Sequence, residues 1–324
     1  LGIDVAIPGT AALAFDVQGN LWVAAGYGCT PTGGSGCGGN VTGYLFEYTP
    51  AQLASNGVNV SPTVTIALPA PFSGQATFPY GLAFDRNGTL WVTGSNQLVL
   101  YGFGANQLST SGSPTPAHAL TVATLASGLS GLAFDPSGNL WIGVQNDPNG
   151  ANGGGAIIEM SPSQLGAASG TPTPFDSLIG AGATVGIATP NFLAFDSHGN
   201  LWVSGSQDTV VMFSNASLLA LGTTSSPAPA VTLITPFTAL PEGLAFDAGD
   251  NLWLSLFPQG GPHQTAVVRY PASAIASGGS GVPDITLSLT SNSQSAPLGG
   301  LSGIAFAPNS GLGLFGSKTR GHHP

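Results

Sequence analysis

Apolar and polar positions along the chain alternate over short runs, the period of two that a pleated strand imposes. One such pattern recurs: LAFDVQGNLWV from residue 13, LAFDRNGTLWV from 82, LAFDPSGNLWI from 132, LAFDSHGNLWV from 193 and LAFDAGDNLWL from 244. A worn sixth copy, IAFAPNSGLGL, starts at 304. Each copy predicts a hairpin of strand LAF, turn D-x-x-G-N and strand LWV. The aspartate can accept hydrogen bonds from turn amides, and the glycine supplies the positive φ angle the turn needs.

Two further strands are predicted after each hairpin. The third is apolar and ends near an aromatic residue or methionine: LFEY at 45–48, LVLY at 98–101, IIEM at 157–160, VVMF at 210–213 and VVRY at 267–270. The fourth follows a Pro-rich turn: TVTIAL at 63–68, ALTVATL at 119–125, DSLI at 176–179, AVTLI at 230–234 and DITLSL at 284–289. Four strands per unit of about 50–60 residues is the repeat of a propeller blade. The expectation is an all-β, six-bladed β-propeller with four-stranded blades, a single domain over residues 1–324. LGIDVAI at 1–7 matches the fourth-strand pattern, so it is expected to complete the last blade and close the ring. The sixth hairpin is followed only by GSKTRGHHP, which leaves that blade short of a third strand and its edge open to another chain.

All five tryptophans (Trp22, Trp91, Trp141, Trp202, Trp253) hold one repeat position, which makes them packing residues between blades. Asp16, Asp85, Asp135, Asp196 and Asp247 are expected to cap the repeated turn. Glu47 and Glu159 share a third-strand position that Leu100, Met212 and Arg269 fill elsewhere, which predicts outer-blade surface.

The LAFD-x-x-GNLWV units in a six-fold array resemble the NHL-repeat and SMP-30/gluconolactonase-like propellers, a group that includes the streptogramin lyase type. The second strands of NHL units continue into an aspartate, where this chain has Ala25, Gly94, Val144, Gly205 and Leu256. NHL third strands carry an arginine, and only Arg269 answers to it. The likeness is therefore one of superfamily. It implies a site at the central channel, faced by the residue two before each LAF or IAF: Ala11, Tyr80, Ser130, Asn191, Glu242 and Ser302. In SMP-30-like enzymes an acid and an amide at comparable places help hold a divalent metal. Carried over, this gives Glu242 and Asn191 as ligands, with Asp208 as a second carboxylate if its loop folds inward. All-oxygen donors point to Ca²⁺, which takes six to eight of them. The opposing expectation is that Glu242 is a solvated acid of the channel mouth.

Composition narrows the function classes. Charged residues are only 6% of the 324, but 42% are hydrophobic, which excludes a disordered chain and, with 49 Gly and 26 Pro, fits β-structure rich in turns. A net charge of −10 with four basic residues (Arg86, Arg269, Lys318, Arg320) excludes nucleic acid as a partner. No apolar run reaches the roughly 18 residues of a membrane span. Cys29 and Cys37 share one Gly-rich loop and read as a loop-closing disulfide, which implies export; the start at Leu1 fits a chain whose leader has been removed. The histidines offer no good general acid: His198 lies in a turn, His118 opens a fourth strand, His263 sits in a loop, and His322 and His323 are in the tail.

Two functions remain. One is an exported, non-catalytic propeller acting as surface scaffold, binding module or assembly subunit, whose partners are other protein chains or further copies of itself. The other is a Ca²⁺-dependent lactonase- or lyase-like enzyme centred on the channel.

Overall fold

The repeated segments fold as antiparallel hairpins, and each recruits two more strands outward into a four-stranded blade. The computed structural model describes residues 10–25, 43–55, 60–69, 79–94, 98–122, 128–145, 155–174, 176–179, 189–205, 208–222, 227–236, 239–258, 266–276, 278–288 and 303–306. The first blade holds β1 (Thr10–Phe15), β2 (Leu21–Ala25), β3 (Tyr44–Tyr48) and β4 (Val64–Ala67). The second holds β5 (Pro79–Phe84), β6 (Leu90–Gly94), β7 (Val99–Phe103) and β8 (His118–Thr121), and the third β9 (Leu129–Phe134), β10 (Leu140–Val144) and β11 (Ala156–Met160). After a two-residue strand, β12 (Ser169–Gly170), the third blade ends with β13 (Asp176–Ile179). The fourth comprises β14 (Pro190–Phe195), β15 (Leu201–Gly205), β16 (Thr209–Phe213) and β17 (Val231–Ile234). The fifth comprises β18 (Ala239–Phe246), β19 (Leu252–Pro258), β20 (Ala266–Tyr270) and β21 (Ile285–Ser288).

Within each blade the strands pair in chain order, all antiparallel. Five blades, not six, are four-stranded sheets among the described residues. Of the sixth repeat only residues 303–306 are described, and they are irregular. They touch both the fifth and the first blade: Phe306 lies edge-on to Trp253 at 6.0 Å, and a Cβ on Gly303 would sit 3.2 Å from the backbone nitrogen of Leu13. The segment proposed to close the ring, residues 1–7, lies outside the described residues, as do Ser302, Cys29 and Cys37.

The turn carries more than a cap. In every complete repeat one aspartate oxygen accepts from the backbone N–H groups two and four residues on, and the other accepts from the tryptophan indole at i+6. For Asp196 these bonds come from His198 (3.0 Å), Asn200 (2.9 Å) and Trp202 (2.9 Å). Burial pushes the Asp247 carboxyl upward, but bonds from Trp253, Asn251 and Gly249 outweigh it and hold its pKa below the usual value. The fourth turn position has positive φ, from 77° to 89° at Gly19, Gly88, Gly138 and Gly199. In the fifth repeat Asp250 takes it at 55°, its carboxylate accepting from the Ser197 amide of the neighbouring blade.

So anchored, the tryptophans pack against the following blade. Trp22 meets Phe84, Trp141 meets Phe195 and Trp202 meets Phe246 at ring separations of 5.7–6.3 Å. Trp91 shares a buried cluster with Leu129, Leu132 and Phe134 of the third blade. Large aromatic area buried between sheets is the dominant cohesive term of such a ring. Glu159 departs from expectation: it is 6% exposed, enclosed across from Trp141 on β10 rather than on open blade surface.

Two devices on the outer blades were not anticipated. Short helices follow the third strands, as at α1 (Pro50–Ala54), α2 (Pro162–Leu165), α3 (Asn215–Leu219) and α4 (Ala272–Ile275). Thr49 with Gln52 and Ser161 with Gln164 form capping boxes, a signal readable in TPAQ and SPSQ. Beyond the helices, a Gly-containing segment clasps the outer strand of the preceding blade in parallel. Gly112 bonds around Ile66, Ser169–Gly170 pairs with Ala119 and Leu120, and Gly279 bonds around Leu233. These clasps occupy the exposed edges of β4, β8 and β17.

Candidate functional site

The first strand of each blade runs beside the central axis, and each is interrupted near its start. The register shifts between Thr10 and Ala12, Pro79 and Gly81, Pro190 and Leu193, and Pro241 and Gly243, with a matching shift opposite Ile142–Val144. These are β-bulges, which insert a residue and re-aim its side chain. The inserted residues are Ala11, Tyr80, Ser130, Asn191 and Glu242, the set expected at the channel mouth. Each of these positions coincides with a break in strand register.

A hydroxyl supports most bulges. The Gly81 amide donates to Thr93 Oγ1 (2.9 Å), the Phe192 amide to Ser204 Oγ (3.2 Å) and the Gly243 amide to Ser255 Oγ (2.8 Å). The third blade has Gly143 at this place, and Ser130 fills the gap from the opposite strand. Its hydroxyl donates to the Pro190 carbonyl at 2.6 Å, and its side chain is fully buried. Ser130 is therefore an inter-blade brace rather than a free donor at the mouth.

Just inside the bulges lies a small cavity of about 110 Å³, lined by Leu13, Leu82, Leu132, Leu193, Leu244 and Ile304 with intervening Gly81, Gly131 and Gly303. Five repeats each contribute a pair of adjacent residues to this lining, and the fifth repeat contributes Leu244 alone. Glycine after the bulge is a steric need: a Cβ on Gly131 would lie 2.5 Å from the Asn191 carbonyl oxygen and 2.7 Å from Phe192 Cα.

Above the cavity Tyr80 reaches past the third blade and stacks on Phe192 of the fourth, with ring centroids 5.4 Å apart at 26°. Burial raises the Tyr80 phenol's pKa, and the nearby Glu242 carboxylate adds to it. Burial likewise holds the Glu242 carboxyl above its ordinary value. Asn191 is 8% exposed. Tyr80, Phe192 and Glu242 are therefore brought together, and the bulge on the adjacent strand of the neighbouring blade adds Asn191. Sequence reasoning missed Phe192, which reads as part of an ordinary strand.

Asp208 immediately precedes β16 of the fourth blade, and its backbone carbonyl accepts from the Thr235 amide at 2.7 Å and hydroxyl at 3.0 Å. Among the described residues no group of three His, Cys, Asp or Glu side chains gathers. A calcium ion takes six to eight oxygens, whereas the mouth supplies one carboxylate and one carboxamide. Those donors alone do not fit the ion. His118 packs on Trp91 at 5.2 Å and contacts the Ala167 carbonyl, and His198 sits exposed beside Asp250. No described helix is long and apolar enough to cross a membrane.

No family model and no curated protein matches the chain. Among solved structures it is similar to a streptogramin B lyase, with a TM-score of 0.52 and 14% identity over 90% of this chain and 73% of that one. It is also similar to the WD40 domain of Pan2 from Neurospora crassa, with a TM-score of 0.50 and 11% identity over 85% of this chain and 66% of the other. At such identities the likeness is one of fold, and the fold is a β-propeller.

Proposed function

We propose that this β-propeller is a non-catalytic, exported scaffold or binding module that joins other protein chains, including copies of itself, through the open edge beside its last blade. One observation carries the reading. The outer strands of the first, second and fourth blades are clasped by the following unit; among the described residues neither β13 nor β21 carries a clasp, and β21 is the outer strand of the last four-stranded blade. Three of its four residues are exposed, Leu287 at 52%. An unpaired strand with an exposed apolar side chain is a template for strand addition. In this reading the ring is six-fold and of the NHL/SMP-30 type, its sixth blade completed by residues 1–7, and Cys29–Cys37 is a disulfide. The Pan2 likeness adds a precedent only for the fold.

Sedimentation velocity across a wide concentration range tests the reading. Concentration-dependent association that Leu287→Lys abolishes is the expected result. A strictly monomeric chain at high concentration, with its last blade filled by its own residues, would refute it.

The calcium-dependent lactonase or lyase reading rests on the neighbouring bulges of Asn191 and Glu242. Calcium that raises the melting temperature, an effect lost in Glu242→Gln, would favour it over the scaffold.

A further inference from the structure

The mouth of the channel holds a combination that neither blade packing nor strand addition uses. Glu242 has no cationic partner among the described residues: Arg269 pairs with Asp284, and Arg86 reaches the Pro136 carbonyl. Asn191 lies in the adjacent bulge at 8% exposure, and no hydrogen bond to its carboxamide forms among the described residues. A carboxamide so placed can both donate to and accept from a ligand. Tyr80, close enough to feel the Glu242 charge, stacks on Phe192, and Phe192 also lines the leucine-walled cavity.

Each part selects against a different ligand. A carboxylate repels anions. One carboxylate and one amide supply too few oxygens for calcium, and the Ser130 hydroxyl is already engaged by Pro190. Aromatic faces attract a weakly hydrated organic cation more effectively than a metal ion that keeps its water. The adjoining cavity, walled by leucine side chains with polar backbone exposed between them, has room for a short alkyl chain. We propose that the channel mouth binds an alkylammonium group, its charge held by Glu242 and the Asn191 carbonyl, its cationic carbons against Tyr80 and Phe192, and its chain directed into the leucine-lined cavity.

Such a group comes either from a free amine or from a lysine side chain of a partner protein. Saturation-transfer NMR on the intact protein tests the proposal, with n-butylammonium, neutral n-butanol and the peptides Gly-Lys-Gly and Gly-norleucine-Gly as probes. n-Butylammonium is expected to bind at least about tenfold more tightly than n-butanol, because only the cation compensates the buried carboxylate. Glu242→Gln, which keeps shape and size, should erase that preference while leaving the circular dichroism spectrum unchanged. Phe192→Leu should weaken n-butylammonium by several-fold, as loss of an aromatic face predicts.

Binding of Gly-Lys-Gly with the same dependence on Glu242 assigns the source to a protein side chain. Binding of the free amine alone assigns it to a small molecule, and either outcome supports the site. Equal binding of n-butanol, or an undiminished signal in Glu242→Gln, overturns it. Displacement of n-butylammonium by micromolar calcium would also overturn it, in favour of a metal site. The scaffold reading stands or falls separately, on the association state of the chain.

Discussion

Replacing Asp196 by alanine tests what holds a blade to its neighbour. The carboxylate accepts from two turn amides, from the Asn200 side chain at 2.8 Å and from the Trp202 indole at 2.9 Å. The turn amides are near solvent and recover water, so losing them costs about 0.5 kcal/mol each, the low end for a hydrogen bond. Trp202 is 2% exposed, and its N–H has no access to a replacement. An unpaired buried donor costs about 1–3 kcal/mol, which brings the total to about 2–4 kcal/mol. Asn200 is freed as well, and it is the residue whose carbonyl oxygen accepts from the first amide of α3.

The diagnostic variant is Asp196→Asn. It keeps size and one acceptor, but either orientation sets an NH₂ group against donors, so its cost should approach that of alanine. Urea unfolding followed by circular dichroism at neutral pH measures both. The cycle with Trp202→Phe isolates the indole bond: in that background the alanine variant should cost about 1–2 kcal/mol less. If Asp196→Asn stays within about 0.5 kcal/mol of the parent, or the cycle is additive, the aspartate is only a turn cap and the argument fails.

Three further outcomes follow from the geometry. Gly131→Ala forces a Cβ onto the Asn191–Phe192 backbone and should destabilise by about 3 kcal/mol or more, whereas Gly222→Ala, with open space around it, should be neutral or slightly stabilising; equal Tm values would refute the close approach at the axis. The Glu242 pKa is raised in the folded state above its ordinary 4.5, so the folded form binds the proton more tightly, and its stabilising contribution is full below that pH and lost as pH rises. Glu242→Gln should therefore be more stable than the parent at pH 7, a gain that vanishes below about pH 4.5; a gain constant with pH would contradict it. Burial holds the phenols of Tyr48 and Tyr270 up to about 12 and raises Tyr80 and Tyr101 as well. In the unfolded chain they ionise near about 10, so stability present below that pH is lost above it, and tyrosinate absorbance should rise together with loss of β-sheet signal. Titration of all six tyrosines near pH 10 in a still-folded chain would show that these phenols are not enclosed.

The inner half of each blade was legible because one short segment must satisfy several constraints at once. LAF needs an alternating strand, D-x-x-G-N needs a positive φ, and the tryptophan needs both a flat slot and a carboxylate for its N–H. Few substitutions meet all three, so the segment recurs nearly unchanged. The outer half meets weaker constraints. A clasp needs only a flexible segment with backbone to offer, as SGSP at 111–114 and SGTP at 169–172 supply, and backbone pairing leaves little trace in side-chain pattern. The helices were legible in principle, through Thr49 with Gln52 and Ser161 with Gln164, but four or five residues are too few for a helical period to show.

The mouth of the channel lies between these cases. Counting two back from each LAF finds Tyr80, Asn191 and Glu242, because repeats preserve register. It does not reveal that each of them falls at a β-bulge, nor that Ser130 is withdrawn by its bond to Pro190. Position in a repeat therefore predicts where a side chain begins, while its neighbours decide what it can do. Ser130 is buried because the second strand offers Gly143 where other blades offer Thr93, Ser204 or Ser255. Glycine-for-hydroxyl exchange at that place converts a mouth residue into a brace. The converse change is testable: Gly143→Ser would compete with Ser130 for the same space, since even a Cβ there would lie 2.2 Å from its hydroxyl oxygen. Paired with Ser130→Gly, it should restore the arrangement of the fourth and fifth blades and recover most of the stability lost in Gly143→Ser alone. No recovery in the pair would mean that the hydroxyl's contribution depends on which strand carries it, and that the bulge, rather than the brace, sets the order of the mouth.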